Sequence, residues 1–62
     1  MFKLTIKSVC SVDGVRVDVS EYSRELVAFC NFKEELQWES TIACIVTDPT
    51  GAVLYEENGS FN

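Results

Sequence analysis

The sequence predicts an α+β fold with the order ββαββ, in which two hairpins form an antiparallel sheet and one helix packs on one face of it. Three observations predict this fold: two stretches in which apolar and polar residues alternate, a turn sequence inside each stretch, and a helix-forming segment between them. The chain has 62 residues, of which 47% are hydrophobic. That length and composition indicate a single folded domain over residues 1–62 and not a disordered chain.

The first element is a predicted β-hairpin from Phe2 to Val19, with Asp13-Gly14 as a two-residue type I′ turn. In this register Val12 lies opposite Val15, and alternate residues of the two strands share a face. The apolar residues of the hairpin would then form one continuous face, made of Phe2, Leu4, Ile6, Cys10, Val12, Val15, Val17 and Val19.

The middle segment, residues 20–39, is favoured as a helix because Glu, Leu, Ala, Lys, Arg and Gln fill it, with Ser20 or Ser23 as the N-cap. Ala28 is expected to border the polar side of this helix. The alternative places alternate residues from Leu36 to Val46 on one face of a long strand, which would give an all-β five-stranded meander or small sandwich. In the favoured interpretation the apolar stripe of the helix is Tyr22, Leu26, Phe29, Phe32 and Leu36.

The closing element is a predicted hairpin from Thr41 to Tyr55 around the turn Asp48-Pro49-Thr50-Gly51. The proline presets the first corner of a type I turn, and Gly51 supplies the left-handed position after it. The run Ile42 to Val46 is apolar on both faces, which is typical of a central strand. A last turn at Asn58-Gly59 would fold the following residues back onto the sheet.

The residue types present predict that the protein is not an enzyme and holds no cofactor. The chain has no histidine to act as a catalytic base, and its three glycines stand singly, so no glycine-rich loop can bind a phosphate. With Cys10, Cys30 and Cys44 as the only N or S candidates, a structural zinc site lacks its fourth ligand. An odd set of cysteines without a secretory apolar region predicts reduced thiols and a cytoplasmic location. The run Ile42 to Val46 is too short to span a bilayer.

Charge is distributed unevenly along the chain, whose formal net charge is −5. The first 33 residues hold all five bases and four acids, whereas the rest of the chain holds six acids and no base. This layout disfavours direct binding to nucleic acid or to an anionic membrane and predicts a protein partner with a basic surface. The alternative is an acidic face that serves only solubility. The candidate partner-binding residues are Glu34, Glu35, Trp38, Glu39, Asp48, Glu56 and Glu57.

Trp38 is the aromatic residue of this candidate set, with Glu34, Glu35 and Glu39 close to it in sequence. A tryptophan within an acidic rim has the composition of an anchor residue at a protein interface. The alternative is that Trp38 closes one end of the core where the helix gives way to the next strand.

In size, in the order of its strands and helix, and in the closing hairpin with Asp48-Pro49-Thr50-Gly51, the chain resembles small acidic proteins encoded by phages and mobile elements, including some anti-CRISPR proteins. The resemblance implies a non-enzymatic inhibitor or adaptor, an anti-defence factor that mimics DNA and occupies a basic surface of a host protein in the host cytoplasm. The alternative function is a homodimeric structural or assembly module, in which Ile42 to Val46 packs against its symmetry mate.

Overall fold

The computed structural model describes residues 1–12 and 14–58, which form four strands and one helix. Strands β1 and β2 form one antiparallel hairpin, β3 and β4 form a second, and β1 pairs with β3 to join them in the sheet order β2-β1-β3-β4. The helix α1 packs on one face of this sheet. The predicted ββαββ fold is therefore confirmed, and the all-β alternative is wrong. The elements are β1 (Phe2–Cys10), β2 (Gly14–Tyr22), α1 (Glu25–Glu35), β3 (Thr41–Thr47) and β4 (Val53–Asn58).

The first hairpin has a different register from the predicted one. Cys10 pairs with Gly14, so three positions, 11 to 13, separate the strands where the sequence predicted two. Gly14 has φ +85°, a left-handed conformation that glycine adopts without steric cost. Asp13, half of the predicted turn, lies outside the described residues, as do residues 59–62 with most of the predicted last turn.

One additional position between the strands reverses the orientation of every side chain in β2 relative to β1. Val15, Val17 and Val19 pair with Val9, Lys7 and Thr5, so these valines lie on the face of the sheet opposite the helix. We call this face, which α1 does not cover, the open face. The expectation that the valines share a face with Phe2, Leu4 and Ile6 is wrong. Arg16, Asp18 and Ser20 lie on the helix side in their place.

The core lies between α1 and the helix side of β1 and β3. Leu4 of β1 pairs directly with Val46 of β3, and Phe32 of the helix packs against them. Partly buried residues surround this centre, including Tyr55 from β4. The buried apolar residues among those described are Leu4, Ala28, Phe32, Cys44 and Val46.

The helix is shorter than predicted, and Phe29, Phe32 and Leu36 of the predicted stripe lie in or against the core, whereas Leu26 does not. Arg24 occupies the N-cap with an extended backbone and no capping side-chain hydrogen bond, so neither predicted serine is the cap. Ala28 is fully buried and Leu26 is 70% exposed, which reverses the expected roles of these two residues. Ala28 and Phe32 lie four residues apart on the same side of the helix, and both face the sheet. In the described part of the chain, no helix has the length and apolar character needed to cross a bilayer.

The second hairpin follows the prediction closely. Strand β3 is central, between β1 and β4, as its two apolar faces indicated. The backbone N–H of Gly51 donates to the carbonyl of Asp48 at 2.9 Å, and Gly51 has the predicted left-handed backbone at φ +94°. The pairing of β3 with β4 shifts its register between Val46 and Thr47.

Candidate functional site

The segment that follows α1 continues from the helix in tight turns and carries Trp38. The N–H groups of Gln37 and Trp38 donate to the carbonyls of Glu34 and Glu35, each at 3.2 Å. These bonds span three residues, so they wind the chain more tightly than the helix does. Thr41 then closes the segment by donating its N–H to the carbonyl of Trp38 at 3.2 Å. The backbone around Trp38 is thereby fixed by local hydrogen bonds.

A buried hydroxyl ties this segment to the sheet. Thr41, the first residue of β3, is 1% exposed, and its Oγ1 donates to the carbonyl of Glu35 at 2.8 Å. This bond satisfies a carbonyl in the last turn of α1, which has no partner within the helix. The end of the helix therefore has a defined position against β3.

Trp38 is an exposed side chain that borders two depressions of the surface. It is 63% exposed and does not belong to the core, so its predicted alternative role as the residue that closes the core is wrong. An open groove of about 530 Å³ lies on one side and is also lined by Glu35. A smaller depression of about 220 Å³ is lined by Glu34, Gln37 and Trp38. Each depression thus combines the indole ring with a glutamate.

Two carboxylates from different elements lie near Cys44 at this end of the molecule. Glu57 of β4 pairs with Cys44 of β3, and Glu35 is at the last turn of α1. Burial raises the pKa of the Cys44 thiol to about 11, with further contributions from the negative charges of Glu35 and Glu57. Both carboxylates are therefore close enough to Cys44 to disfavour its thiolate form.

The structure brings five of the seven candidate residues to one end of the molecule. The helix ends there and its dipole contributes partial negative charge, which adds to that of the carboxylates. Lys33, the basic residue of the last helical turn, has its Nζ 5.7 Å from the centre of the Phe29 ring. We call the surface the acidic end; it consists of Glu34, Glu35, Trp38, Glu39 and Glu57.

The other two candidate residues lie elsewhere. Glu56 pairs with Ile45, which places it on the open face. Asp48 lies in the turn at the opposite end of the sheet, where its Oδ1 accepts hydrogen bonds from the N–H and Oγ1 of Thr50 at 2.9 and 2.6 Å and from the N–H of Ala52 at 2.9 Å. These hydrogen bonds lower the pKa of Asp48, and the bond from the Thr50 hydroxyl has the largest effect. The carboxylate of Asp48 therefore organises its own turn.

Asp18 is a further carboxylate beside Trp38 that was not among the predicted candidates. Asp18 lines the larger groove together with Ser20, because both lie on the helix side of β2. The predicted register placed Asp18 on the opposite face from Ile6, whereas the two residues pair directly. The sequence signal that could have located Asp18 was the loop length, which the Asp-Gly pair indicated incorrectly.

The chemistry available at the acidic end is that of charge and aromatic contact. In the described part of the chain, the side chains that line the two depressions include carboxylates, hydroxyls and the indole of Trp38 but no lysine or arginine. Within the described ranges no three His, Cys, Asp or Glu side chains come together in an arrangement that could hold a metal ion.

Comparison with known proteins finds no family model, no curated protein and no solved structure that matches the chain.

Proposed function

We propose that the protein is a non-enzymatic binding protein that uses its acidic end to occupy a basic surface of a partner protein. The observation that carries the proposal is the position of Trp38, 63% exposed and placed by the turns after α1 between two depressions that each contain a glutamate. A large aromatic side chain held by a rigid backbone loses little conformational freedom on binding, which is the property of an interface anchor.

The charge around Trp38 supports a basic partner. Glu34 and Glu39 are exposed and Glu35 is half-buried. Lys33 is the last base in the sequence, and six carboxylates follow it with no further lysine or arginine among them. A single-sign field of this kind speeds the encounter with a positive surface and opposes the approach of nucleic acid itself.

The partner we propose is a protein whose basic surface binds nucleic acid, which the acidic end would cover as a DNA mimic. The resemblance to small phage-encoded inhibitors, anti-CRISPR proteins among them, suggests that the target belongs to a host defence system. This part of the proposal rests on similarity of size and architecture.

The test compares pairs of charge reversals that change the net charge equally. The first double variant, Glu34→Lys with Glu39→Lys, reverses two charges of the acidic end. The second, Glu21→Lys with Glu56→Lys, reverses two exposed charges on the open face. Each pair, and Trp38→Ala, is immobilised and used to capture proteins from the native host lysate beside the unmodified chain. Captured proteins are eluted with a salt gradient and quantified by mass spectrometry.

We expect one protein to be retained by the unmodified chain and by the open-face pair, and to be lost or weakened by about tenfold or more with the acidic-end pair and with Trp38→Ala. Its elution should require less salt as charge is removed, because exposed ion pairs are screened. All variants should stay folded by circular dichroism, since an exposed charge contributes at most about 1 kcal/mol to stability. Equal retention by all folded variants would overturn the proposal.

A further inference from the structure

Strand β2 is an edge strand that carries Arg16, Asp18 and Glu21 but lacks the short length, the proline and the irregular pairing by which proteins also protect a sheet edge. It has nine residues, Gly14–Tyr22, without proline or lysine, and its pairing with β1 has no register shift. The other edge strand, β4, has six residues, carries Glu56 and Glu57, and its ladder is interrupted by a register shift. Neighbouring charges of one sign, short length and irregular pairing discourage the addition of another strand of the same kind. Of the two edges, β2 is therefore the one open to pairing.

The direction of the backbone groups in β2 follows from one hydrogen bond of β1. The N–H of Val9 donates to the carbonyl of Ser40 at 2.8 Å, on the β3 side of β1. Because successive residues of a strand direct their backbone groups to alternate sides, the even-numbered residues of β1 bond to β2. The even-numbered residues of β2 are their partners, so the N–H and C=O groups of Val15, Val17 and Val19 point away from the sheet.

The same three valines have exposed side chains on the open face. Val15 is 58% exposed, Val17 54% and Val19 57%. Arg16 and Asp18 project from the other side of the strand, where Nε of Arg16 lies 3.3 Å from Oδ2 of Asp18. The edge therefore offers outward backbone groups, an apolar row on one face and two opposite charges on the other.

We infer that β2 pairs antiparallel with β2 of a second copy of this chain, about a twofold axis at Val17, to give one continuous eight-stranded sheet. Only odd-numbered residues have outward backbone groups, so each valine must pair with an odd-numbered residue of the second copy. This leaves three central registers, with the axis at position 16, 17 or 18.

Charge selects among these registers. An axis at Arg16 places two arginines opposite each other, and an axis at Asp18 places two aspartates opposite each other, both of which are destabilising. The axis at Val17 places Arg16 of each copy opposite Asp18 of the other and Val15 opposite Val19. Two cross-strand ion pairs then form on the helix side, and six valines lie side by side on the open face. The segment from Gly14 to Ser20 is thus complementary to itself.

The test uses single charge reversals and their mixture, measured by sedimentation equilibrium. Arg16→Asp and Asp18→Arg each set like charges opposite each other at two symmetric positions, so each should raise the dimer dissociation constant by about tenfold or more. An equimolar mixture should restore the dimer as a heterodimer, because every contact between positions 16 and 18 is again between opposite charges. Neither variant retains the ion pair within its own chain, so that pair cannot explain the recovery.

A reversal on the open face serves as the control. Lys7 lies on β1 opposite Val17, so Lys7→Glu changes the charge of the open face but no residue of the edge strand β2. The dimer should therefore persist in this variant. Loss of the dimer in Lys7→Glu and its persistence in Arg16→Asp would indicate face-to-face packing of two sheets and would overturn the edge pairing.

The unmodified chain provides a second measurement that does not depend on any variant folding. Hydrogen exchange at the amides of Val15, Val17 and Val19 should slow as protein concentration rises, while the amides of Arg16 and Asp18, already bonded to β1, should change less. A chain that remains monomeric at about 1 mM would overturn the inference. Concentration-independent exchange at the three valine amides would overturn it equally.

Discussion

The hydroxyl of Tyr55 donates a hydrogen bond of 3.1 Å to Oε2 of Glu25, and so joins the edge strand β4 to the first turn of α1. The ring of Tyr55 also packs against two aromatic residues of the helix, with centroid distances of 4.7 Å to Phe29 and 5.9 Å to Phe32. One side chain thus connects β4 with the helix through a polar contact at its tip and apolar contacts along its ring.

Tyr55→Phe should lower stability at neutral pH, and the difference from the unmodified chain should shrink in alkali. The hydrogen bond to Glu25 raises the pKa of Tyr55 above its ordinary value of 10.0. The folded protein therefore holds the phenol proton more tightly than the unfolded chain does, so this stabilisation is complete below pH 10 and is lost as pH rises through the folded-state pKa. Urea midpoints at neutral pH and above pH 10 measure the effect. Glu25→Gln should also reduce the alkaline loss, and a pH-independent difference for Tyr55→Phe would contradict the expectation.

Asp48→Asn should destabilise the second hairpin near neutral pH and have progressively less effect in acid. The pKa of Asp48 lies below its ordinary value of 3.8, chiefly because the Thr50 hydroxyl donates to the carboxylate. The contribution of the charge to stability is thus present above pH 3.8 and is lost as pH falls through the lowered folded-state pKa. Thermal unfolding between neutral pH and about pH 2 should show the two proteins converging. Thr50→Val removes the hydroxyl donor and should produce part of the same loss of stability. A difference in stability between Asp48→Asn and the unmodified chain that does not change with pH would contradict the prediction.

Gly14→Val should cost about 1–3 kcal/mol, because valine resists the left-handed backbone that Gly14 adopts at φ +85°. No atom lies within 4 Å of the position that a Cβ would take, so the loss should come from backbone strain and not from a clash. Gly14→Asn is the matched control, since asparagine tolerates this backbone better. The free energies of unfolding in urea should therefore fall in the order glycine, asparagine, valine, and equal values for valine and asparagine would be inconsistent with strain.

Ala28→Glu should unfold the protein, whereas Leu26→Glu should be tolerated. Ala28 is completely buried in the core, and a carboxylate there would have no water and no cation to offset its charge. We expect a loss of about 3 kcal/mol or more, a large share of the stability of so small a domain. Leu26 is 70% exposed and lies only two residues away in the same helix. Circular dichroism and urea unfolding compare the two, and a folded Ala28→Glu protein would show that this helix face is not the buried one.

Alkylation should distinguish the three cysteines by their surroundings. Cys30 is exposed and should react first, Cys10 is intermediate, and Cys44 is buried with its pKa raised to about 11. Because the thiolate is the reactive form, Cys44 should be modified only when the protein unfolds. Peptide mass spectrometry after timed alkylation measures each rate. The prediction is wrong if Cys44 reacts as fast as Cys30 in the folded protein. It is also wrong if fewer than three cysteines are alkylated after denaturation without a reducing agent.

The sequence predicted the elements of the fold better than their faces. Alternation of residue types depends only on neighbours along the chain, and it located both hairpins and the central strand β3. Which face a strand buries depends on the number of residues in the loop before it, and a single position decides the outcome. The Asp-Gly pair indicated a two-residue turn, and the pairing of Cys10 with Gly14 reversed every side chain of β2. The exposed valines of the open face follow from that difference.

All residues of the acidic end were among the predicted candidates, but the sequence did not indicate which candidates lie together in space. Glu34, Glu35, Trp38 and Glu39 are close in sequence, so their proximity in space required only a local turn. The position of Glu57 beside them depends on the register of β4 against β3, and that of Asp18 on the first hairpin. These registers are set by packing across the whole sheet, which no short segment encodes.

The order in which the strands are synthesised differs from the order in which they lie in the sheet. Strand β1 is synthesised before the other three described strands but occupies the interior of the sheet, between β2 and β3. Leu4 reaches its cross-strand neighbour Val46 only after the whole helix and most of β3 have been made. A nascent chain that ends before Thr41 lacks both Cys44 and Val46, so Leu4 and Phe32 have no β3 to pack against. The core can therefore close only after β3 has been synthesised.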